Sequence, residues 1–594
     1  MSSPKKAPDS SGIGVTARSV IALVSILVVA FAVKLGIDNR AATQCRNIPG
    51  DEAWSTREDW RLLNQTVDGK LVATIPIAAV CHHSVSTDGI GEHSTFDQEA
   101  CDALRSEWFW PKTHLASASS AMAYQFTNDS CNPFLDPDAP CGLGYLPVYT
   151  VNATTPADLQ AAVNFAQRHN IRLVIRNTGH DYLGKSTGAH SLAVWTLHMK
   201  DMSLIPEYHH PGSSYQGPAI KLGAGVEGLE AYTFANSHGL MVVGGNCPNV
   251  GITGGFTQGG GISILSSKFG LAADQVLSWE VVTAAGELVT ADPTENADLF
   301  WALRGGGGGT FGIVVSMTVK AFPDTFFSSA HLTLPNDGTN TDAIYSAIST
   351  FFQSLPSLVD AGAWVVWVAA PFGFMVMPAM AAGLHPSELD ALFQPTLSKM
   401  DDLGLAYTYA STENPDFLSA YRAIPGFFNA SDYHAGGRLI PRSLVADEAS
   451  TASLVAAVRA IGAQAFAVGV AVNVSRSVSA PDEVAANPYF RRALMNLSVG
   501  VPVNYTDWGA NRRAQDRITN ELLPRVRAIT PGGAAYLNEA DFQEPDWRGA
   551  FYGEHYARLV EVKRRWDGGE LFWARTAVGS ERWEERGDGR LCRT

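Results

Sequence analysis

Apolar and polar residues alternate along this chain in two rhythms, and the change between them divides it. From residue 142 to 324, short apolar runs of strand length are interleaved with amphipathic helical stretches. Residues 148–151, 173–175, 192–197, 220–222 and 241–243 read as strands, and 155–169 and 229–237 as helices. The first helix carries a complete start signal: Thr155 as cap, Pro156 in the first position and Asp158 in the first turn, with Leu159, Val163 and Ala166 sharing one face. Residues 279–283 and 287–290 form a hairpin around Ala285-Gly286, 296–303 a helix and 313–321 a strand, before Pro323 closes an α+β unit.

The rhythm then lengthens. Over 325–530, helical stretches at 342–355, 386–403 and 450–462 alternate with strand-like runs at 364–369 and 465–474, which predicts an antiparallel sheet covered by helices. The segment 531–594 stands apart: 536–539 reads as extended, 546–566 as one aromatic-rich helix, and Leu571-Phe572 opens a closing stretch. Residues 41–141 are irregular, with a short helix near 58–65.

At 594 residues, 46% of them hydrophobic and 17% charged, the chain can fill more than one core. A formal net charge of −15 excludes nucleic acid as the expected partner, because phosphate backbones are held by clustered Lys and Arg. Residues 1–40 read as an address. Lys5, Lys6 and Arg18 precede an uncharged apolar run, 19–33. That is short for a spanning helix, which takes about 18 residues or more. It fits a secretory signal peptide cleaved after Ala30-Phe31-Ala32; a retained signal-anchor stays open, because the polar leader is long and Lys34 can snorkel. Either reading puts the body of the protein on the secreted, lumenal or extracellular side. N-x-S/T acceptors at Asn64, Asn128, Asn152, Asn429, Asn473, Asn496 and Asn504 agree with a glycoprotein. Of 7 cysteines, Cys45, Cys81, Cys101, Cys131, Cys141 and Cys592 can form disulfides in several pairings, with Cys131 and Cys141 the first choice because they flank a Pro/Asp-rich loop. Cys247 is left over.

Two short loops carry the chemistry: Arg176-Asn177-Thr178-Gly179-His180-Asp181-Tyr182 and Gly245-Asn246-Cys247-Pro248-Asn249-Val250-Gly251. Each sets one nucleophilic side chain beside glycines, which let backbone approach a bound molecule. Gly254, Gly255 and Gly259 continue a segment too glycine-dense for an ordinary helix or strand; its amides can surround a pyrophosphate or a ring edge. Other patterns fail on context. Residues 179–186 match the P-loop spelling and 184–188 the G-x-S-x-G elbow, but both need a following helix, and Thr187-Gly188-Ala189-His190 leads into a β-branched run instead. The glycine run 305–309 follows a helix and precedes a strand, the reverse of a Rossmann site. His82-His83 and His209-His210 lack further ligands at metal spacing and read as surface residues, so no metal is expected.

Further matching stretches are Gly270-Leu271-Ala272-Ala273-Asp274, residues 298–305, Phe311-Gly312-Ile313-Val314, and 536–538 with Trp547, Tyr552-Gly553, Tyr556, Leu559 and Lys563. With the two loops, they make a chain that resembles the flavoproteins of the vanillyl-alcohol oxidase superfamily, especially the berberine bridge enzyme-like branch and its fungal isoamyl alcohol oxidase-like relatives. The resemblance implies a two-subdomain PCMH-type FAD-binding domain over 142–324, completed by 531–594, and a substrate domain over 325–530 that covers the flavin. It implies FAD contacts from Arg176, Asn177, Thr178, Gly179, Asp181, Gly245, Val250, Gly251, Gly254, Gly255, Gly259, Gly312, Ile313 and Asn538. It also implies a bicovalent flavin, bonded through His180 at the 8α-methyl carbon and through Cys247 at C6. Two positions differ from the family pattern: Phe256 stands where relatives often have His, and Glu539 where sugar and alkaloid oxidases have the second Tyr of Y-x-N-Y.

The expected activity is therefore that of an FAD oxidase acting on an alcohol, sugar or secondary metabolite. A base takes an acidic proton such as an alcohol O–H, hydride passes to flavin N5, and O2 leaves as hydrogen peroxide. Glu539 is the first candidate base, since a desolvated carboxylate titrates toward neutrality; Asp432 and Tyr433 are the second. Tyr182 is expected to pack beside the flavin. A dehydrogenase or ring-forming activity, and a non-catalytic secreted binding glycoprotein, are the alternatives. The expected partners are a small-molecule substrate and O2, with the protein a monomer.

Overall fold

The structure is a computed structural model that describes residues 1–3, 45–87, 91–424, 432–475, 477–478 and 483–594. The apolar run 19–33 with its cleavage motif, and the acceptor Asn429, lie outside the described residues. Among the described residues no helix is long and apolar enough to cross a membrane.

Three sheets organise the molecule. The first has the strands Leu71–Ala73, Tyr149–Asn152, Leu192–Trp195 and Leu173–Arg176 in that order, the last three parallel. The helix Pro156–Arg168 lies in the connection between two of these parallel strands. It starts as its sequence predicts: Thr155 and Asp158 cap each other's backbone amides, which satisfies donors a helix start would otherwise leave free. The second sheet is antiparallel, in the order Leu288–Ala291, Val276–Val282, Ile313–Lys320, Gly217–Gly223 and Met202–Tyr208. Leu159 and Val163 of the helix, Val151 and Val194 of the first sheet, and Ile313 and Val315 of the second share one core.

The third sheet is antiparallel throughout, in the order Thr408–Asn414, Phe327–Pro335, Gly373–Ala382, Ala363–Ala370, Phe466–Ala471, Ala493–Pro502 and Tyr433–Pro441. The helices Thr341–Asp360, Pro386–Asp402 and Glu448–Gly462 cover one of its faces, burying Phe351, Phe393 and Leu454 against Trp367 and Phe374. The class is thus α+β, with an antiparallel sheet under helices, as the pattern predicts.

Some local expectations are corrected. Of the run 241–243 only Met241 pairs as a strand, together with Leu240 before it. Residues 536–539 are not extended: Leu537–Glu539 is a tight helical turn. The stretch 546–566 is two helices, Trp547–Tyr552 and Tyr556–Trp566. Gly553 breaks it with φ +57, and a Cβ there would lie 2.9 Å from Asn487 Oδ1. His82 is fully buried, each ring nitrogen 3.0 Å from a backbone carbonyl.

Disulfides join Cys81 to Cys101, Cys131 to Cys141, and Cys45 to Cys592 across 547 residues; Cys247 is free.

Candidate active site

The strand Leu173–Arg176 runs out into a loop that no helix follows before the strand Leu192–Trp195, so the P-loop spelling has no anion-binding helix. The loop interlocks with the glycine segment. Asn177 Nδ2 donates to Thr196 Oγ1 (2.9 Å) and Ala224 O (2.6 Å), which fixes its amide. Its Oδ1 then occupies the place a side chain at Gly251 would need: a Cβ there would lie 1.7 Å away, and one on Gly254 2.7 Å away. Gly251 N donates to Thr178 Oγ1 at 3.3 Å. Gly179, at φ +87, lies directly over the Arg176 guanidinium.

The second loop hangs from the helix Gly228–Asn236 through Gly228 N to Val250 O and Leu229 N to Pro248 O, both 3.0 Å. The Tyr232 and Tyr421 hydroxyls donate to the carbonyls of Gly245 (2.6 Å) and Asn246 (2.9 Å). These bonds bring the two nucleophiles together. The Cys247 thiol donates to Asn249 Oδ1 at 3.6 Å, and the same Asn249 side chain hydrogen-bonds the ring of His180. Burial lowers His180 to about 4 and raises Cys247 to about 11, so the imidazole is neutral and the sulfur a thiol.

The surroundings fit FAD. His180 Nε2, Lys185 Nζ and Arg176 Nη1 are buried without a hydrogen-bond partner. Burial brings Lys185 down to about 8 and Arg176 to about 10, with Asp181 opposing both shifts. The Asp181 oxygens already accept from the amides of Leu183 (2.9 Å) and Ser186 (2.7 Å). Two buried cations therefore share one carboxylate, an excess of positive charge that a pyrophosphate would offset. Gly255 is exposed, with nothing within 4 Å of a Cβ, and Gly308 approaches it so closely that a Cβ on Gly308 would lie 2.9 Å from its Cα. A Cβ on Gly259 would lie 2.0 Å from Asn538 Oδ1, whose amide donates to Phe256 O (3.0 Å) and Tyr536 Oη (2.8 Å). Arg176 and Ile313 are fully buried behind these surfaces: Arg176 Nη2 donates to His114 O, and Ile313 belongs to the core. Gly312 precedes the strand that Ile313 opens, and a Cβ on it would lie 2.4 Å from Val281.

Glu539 follows Asn538 in the turn that bonds the glycine segment. Its carboxylate accepts from Asn496 Nδ2 at 2.8 Å and from Ser498, yet burial outweighs both and lifts it from the ordinary 4.5 to about 7. The Tyr182 hydroxyl is also raised, first by burial and then by Glu539, Cys247 and Asp432, so Tyr182 lies within electrostatic reach of all three. Asp432 accepts from the Tyr505 hydroxyl at 3.4 Å. Tyr433 is at the rim, 38% exposed, its ring 5.5 Å from that of Phe466. A separate cleft of about 260 Å³, between Trp508, Arg512, Phe542 and Trp573, touches none of these groups.

Sequence reasoning missed Asn249, Lys185, Asn496 and Ser498. Asn249 sits two residues after Cys247 and could have been found by that spacing. Asn496 was misread. As a glycan acceptor it would need exposure, but it is 1% exposed and bonded to Glu539.

Residues 147–292 match the FAD binding domain model, and 535–579 the model for berberine and berberine-like proteins. The chain is 40% identical over 555 residues to the FAD-linked oxidoreductase sor8 of Hypocrea jecorina, covering 93% of this chain and 94% of that protein. It is 41% identical over 572 residues to the VAO-type flavoprotein oxidase VAO615 of Thermothelomyces thermophilus, covering 95% and 97%. The crystal structure at pH 5.0 of a VAO-type flavoprotein from Myceliophthora thermophila C1 superimposes with a TM-score of 0.86 at 39% identity, over 93% of this chain and all of that one.

Proposed function

Because the chain belongs to the berberine bridge enzyme-like, VAO-type FAD-linked oxidoreductases, we propose that it is an oxidase that uses Glu539 as base and holds its flavin through His180 and Cys247. FAD, when bound, supplies the acceptor for the hydride leaving the substrate carbon and returns the electrons to O2 as hydrogen peroxide. The observation that carries this reading is the buried carboxylate of Glu539, titrating near 7 and within electrostatic reach of Tyr182, which Cys247 also reaches. Glu539 takes the alcohol proton; Asn496 and Ser498 orient its oxygens; Tyr182 keeps water from the space between. Asp432 is the second candidate for the proton, with Tyr433 beyond it at the rim. His180 has a free buried nitrogen for the 8α bond and Cys247 an unpaired sulfur for the C6 bond. Asn249, in reach of both, sets their spacing.

The three disulfides support export of the body, as a secreted or lumen-facing protein acting on a small molecule. Exposed Asn128 and Asn504 are its best glycan acceptors. The test is acid precipitation of the holoprotein followed by peroxide detection with substrate. Yellow colour stays in the pellet, His180→Ala or Cys247→Ala alone leaves it attached, and the double variant releases it. Release of colour from the unaltered protein rules out the tethers, and reduction without peroxide makes the protein a dehydrogenase.

A further inference from the structure

The face of the seven-stranded sheet away from the helices packs at one end on the neighbouring core, through Trp364, Met380, Val366 and Val470, and the rest of it is the remaining wall of the site. Pairing fixes which side chains share it. Gly437 pairs with Ser498, Ser498 with Val468, Val468 with Val368, Val368 with Met375 and Met375 with Thr333. Ser498, second in this row, bonds Glu539, and from it the row runs outward. Gly437 is buried, Ser498, Val468, Val368 and Met375 are half-buried, and Thr333 is exposed. Their sequence neighbours Val499, Ala467, Trp367, Phe374 and Val376 point the other way and are completely buried under the helices. Period-two alternation thus leaves one face closed and the other open.

The open face has a definite chemistry. On the strands Ala363–Ala370, Phe466–Ala471 and Ala493–Pro502, its positions beyond Glu539 hold Val368, Phe466, Val468 and Gly500, with no Asp, Glu, Lys or Arg, while Val366 and Val470 pack against the neighbouring core. Its two polar side chains there, Asn496 and Ser498, both bond Glu539, which leaves Asn496 Oδ1 as a single buried acceptor without a partner. Two residues from Val468 along the same strand, Phe466 lies 5.5 Å from Tyr433 and 6.2 Å from Phe372, which is 55% exposed; the three rings make an aromatic lip. A sugar buried here would leave its hydroxyls without partners, and a charged group would lose its hydration for nothing. An apolar body would fill the face and present one hydroxyl to Glu539.

We propose that the molecule oxidised here is an uncharged, predominantly apolar alcohol, whose body lies on Val468, Val368 and Met375 and leaves past the aromatic lip. This inference rests on the oxidase reading above.

The experiment titrates the holoprotein without oxygen with cinnamyl alcohol, 2-naphthalenemethanol, 4-(hydroxymethyl)benzoate and cellobiose. The shift of the flavin absorbance band reports binding, and bleaching reports oxidation. The two apolar alcohols are expected to bind at least about tenfold more tightly than the benzoate or the disaccharide. Val368→Asp weakens them about tenfold with flavin content unchanged, and Val368→Ile retains them. The inference is overturned if cellobiose or the benzoate binds as tightly, if neither apolar alcohol shifts the band, or if Val368→Asp leaves the affinities alone. Binding of apolar alcohols without bleaching would count against the oxidase reading only; bleaching by cellobiose would count against the substrate class only.

Discussion

The glycine loops and the open face of the large sheet meet at Glu539, and they are built by opposite means. In the loops, close approach to glycine backbone does the shaping: Asn177 Oδ1 fills the volume beside Gly251, and Asn538 that beside Gly259, so the residue type is dictated atom by atom. On the sheet, side chains do the shaping, and the pairing register sets only which of them face the same way. A surface for a fixed cofactor demands particular residues. A surface for a substrate demands a general character, which many residues can supply.

The contrast can be broken most sharply at Gly251. Gly251→Val forces a Cβ into Asn177, so the purified protein is expected to carry less than about a tenth of the normal flavin, read from absorbance near 450 nm, or to fail to fold. Full flavin content in that variant would dismantle the interlock.

A smaller effect is expected where the two regions join. Glu539→Gln lowers kcat by about 10²–10⁴ with flavin content unchanged, and the rate of the unaltered enzyme rises with pH through about 7 as the carboxylate deprotonates. The stability effect has the opposite sign. Folding raises this carboxyl from 4.5 to about 7, so the folded state holds its proton longer. Its contribution is complete below about 4.5 and falls as pH rises through about 7, by up to about 3 kcal/mol. Thermal melts should therefore show Glu539→Gln more stable than the unaltered protein at pH 8 and equal at pH 4; a variant less stable at pH 8 would mean the carboxylate is not held against its charge.

The smallest effect belongs to the sheet. Met375→Leu keeps volume and apolar character, so kcat/KM should move less than about fivefold. A loss as large as that of Glu539→Gln would show that the face is as exacting as the loops.

The same contrast decides what could be read in the sequence. His180, Cys247 and their glycines stand out because close backbone approach leaves few alternatives, and the helix Pro156–Arg168 because its start is written in Thr155, Pro156 and Asp158. Glu539 was legible only as a position. Its partners Asn496 and Ser498 arrive from a strand about forty residues earlier, through a pairing that no local pattern encodes. The tripeptide at Asn496 spells a glycan site but says nothing of burial. The turn at Leu537–Glu539 was missed because it forms by bonding Asn538 back onto Phe256 and Tyr536, a long-range constraint that overrides an extended-looking run.

The bond between Cys45 and Cys592 turns everything between those two residues into a covalent ring. Cutting a ring once opens it without dividing it. A protease that nicks any surface loop would leave the cofactor loops and the sheet above them attached as one molecule, and only a reductant would let the halves part.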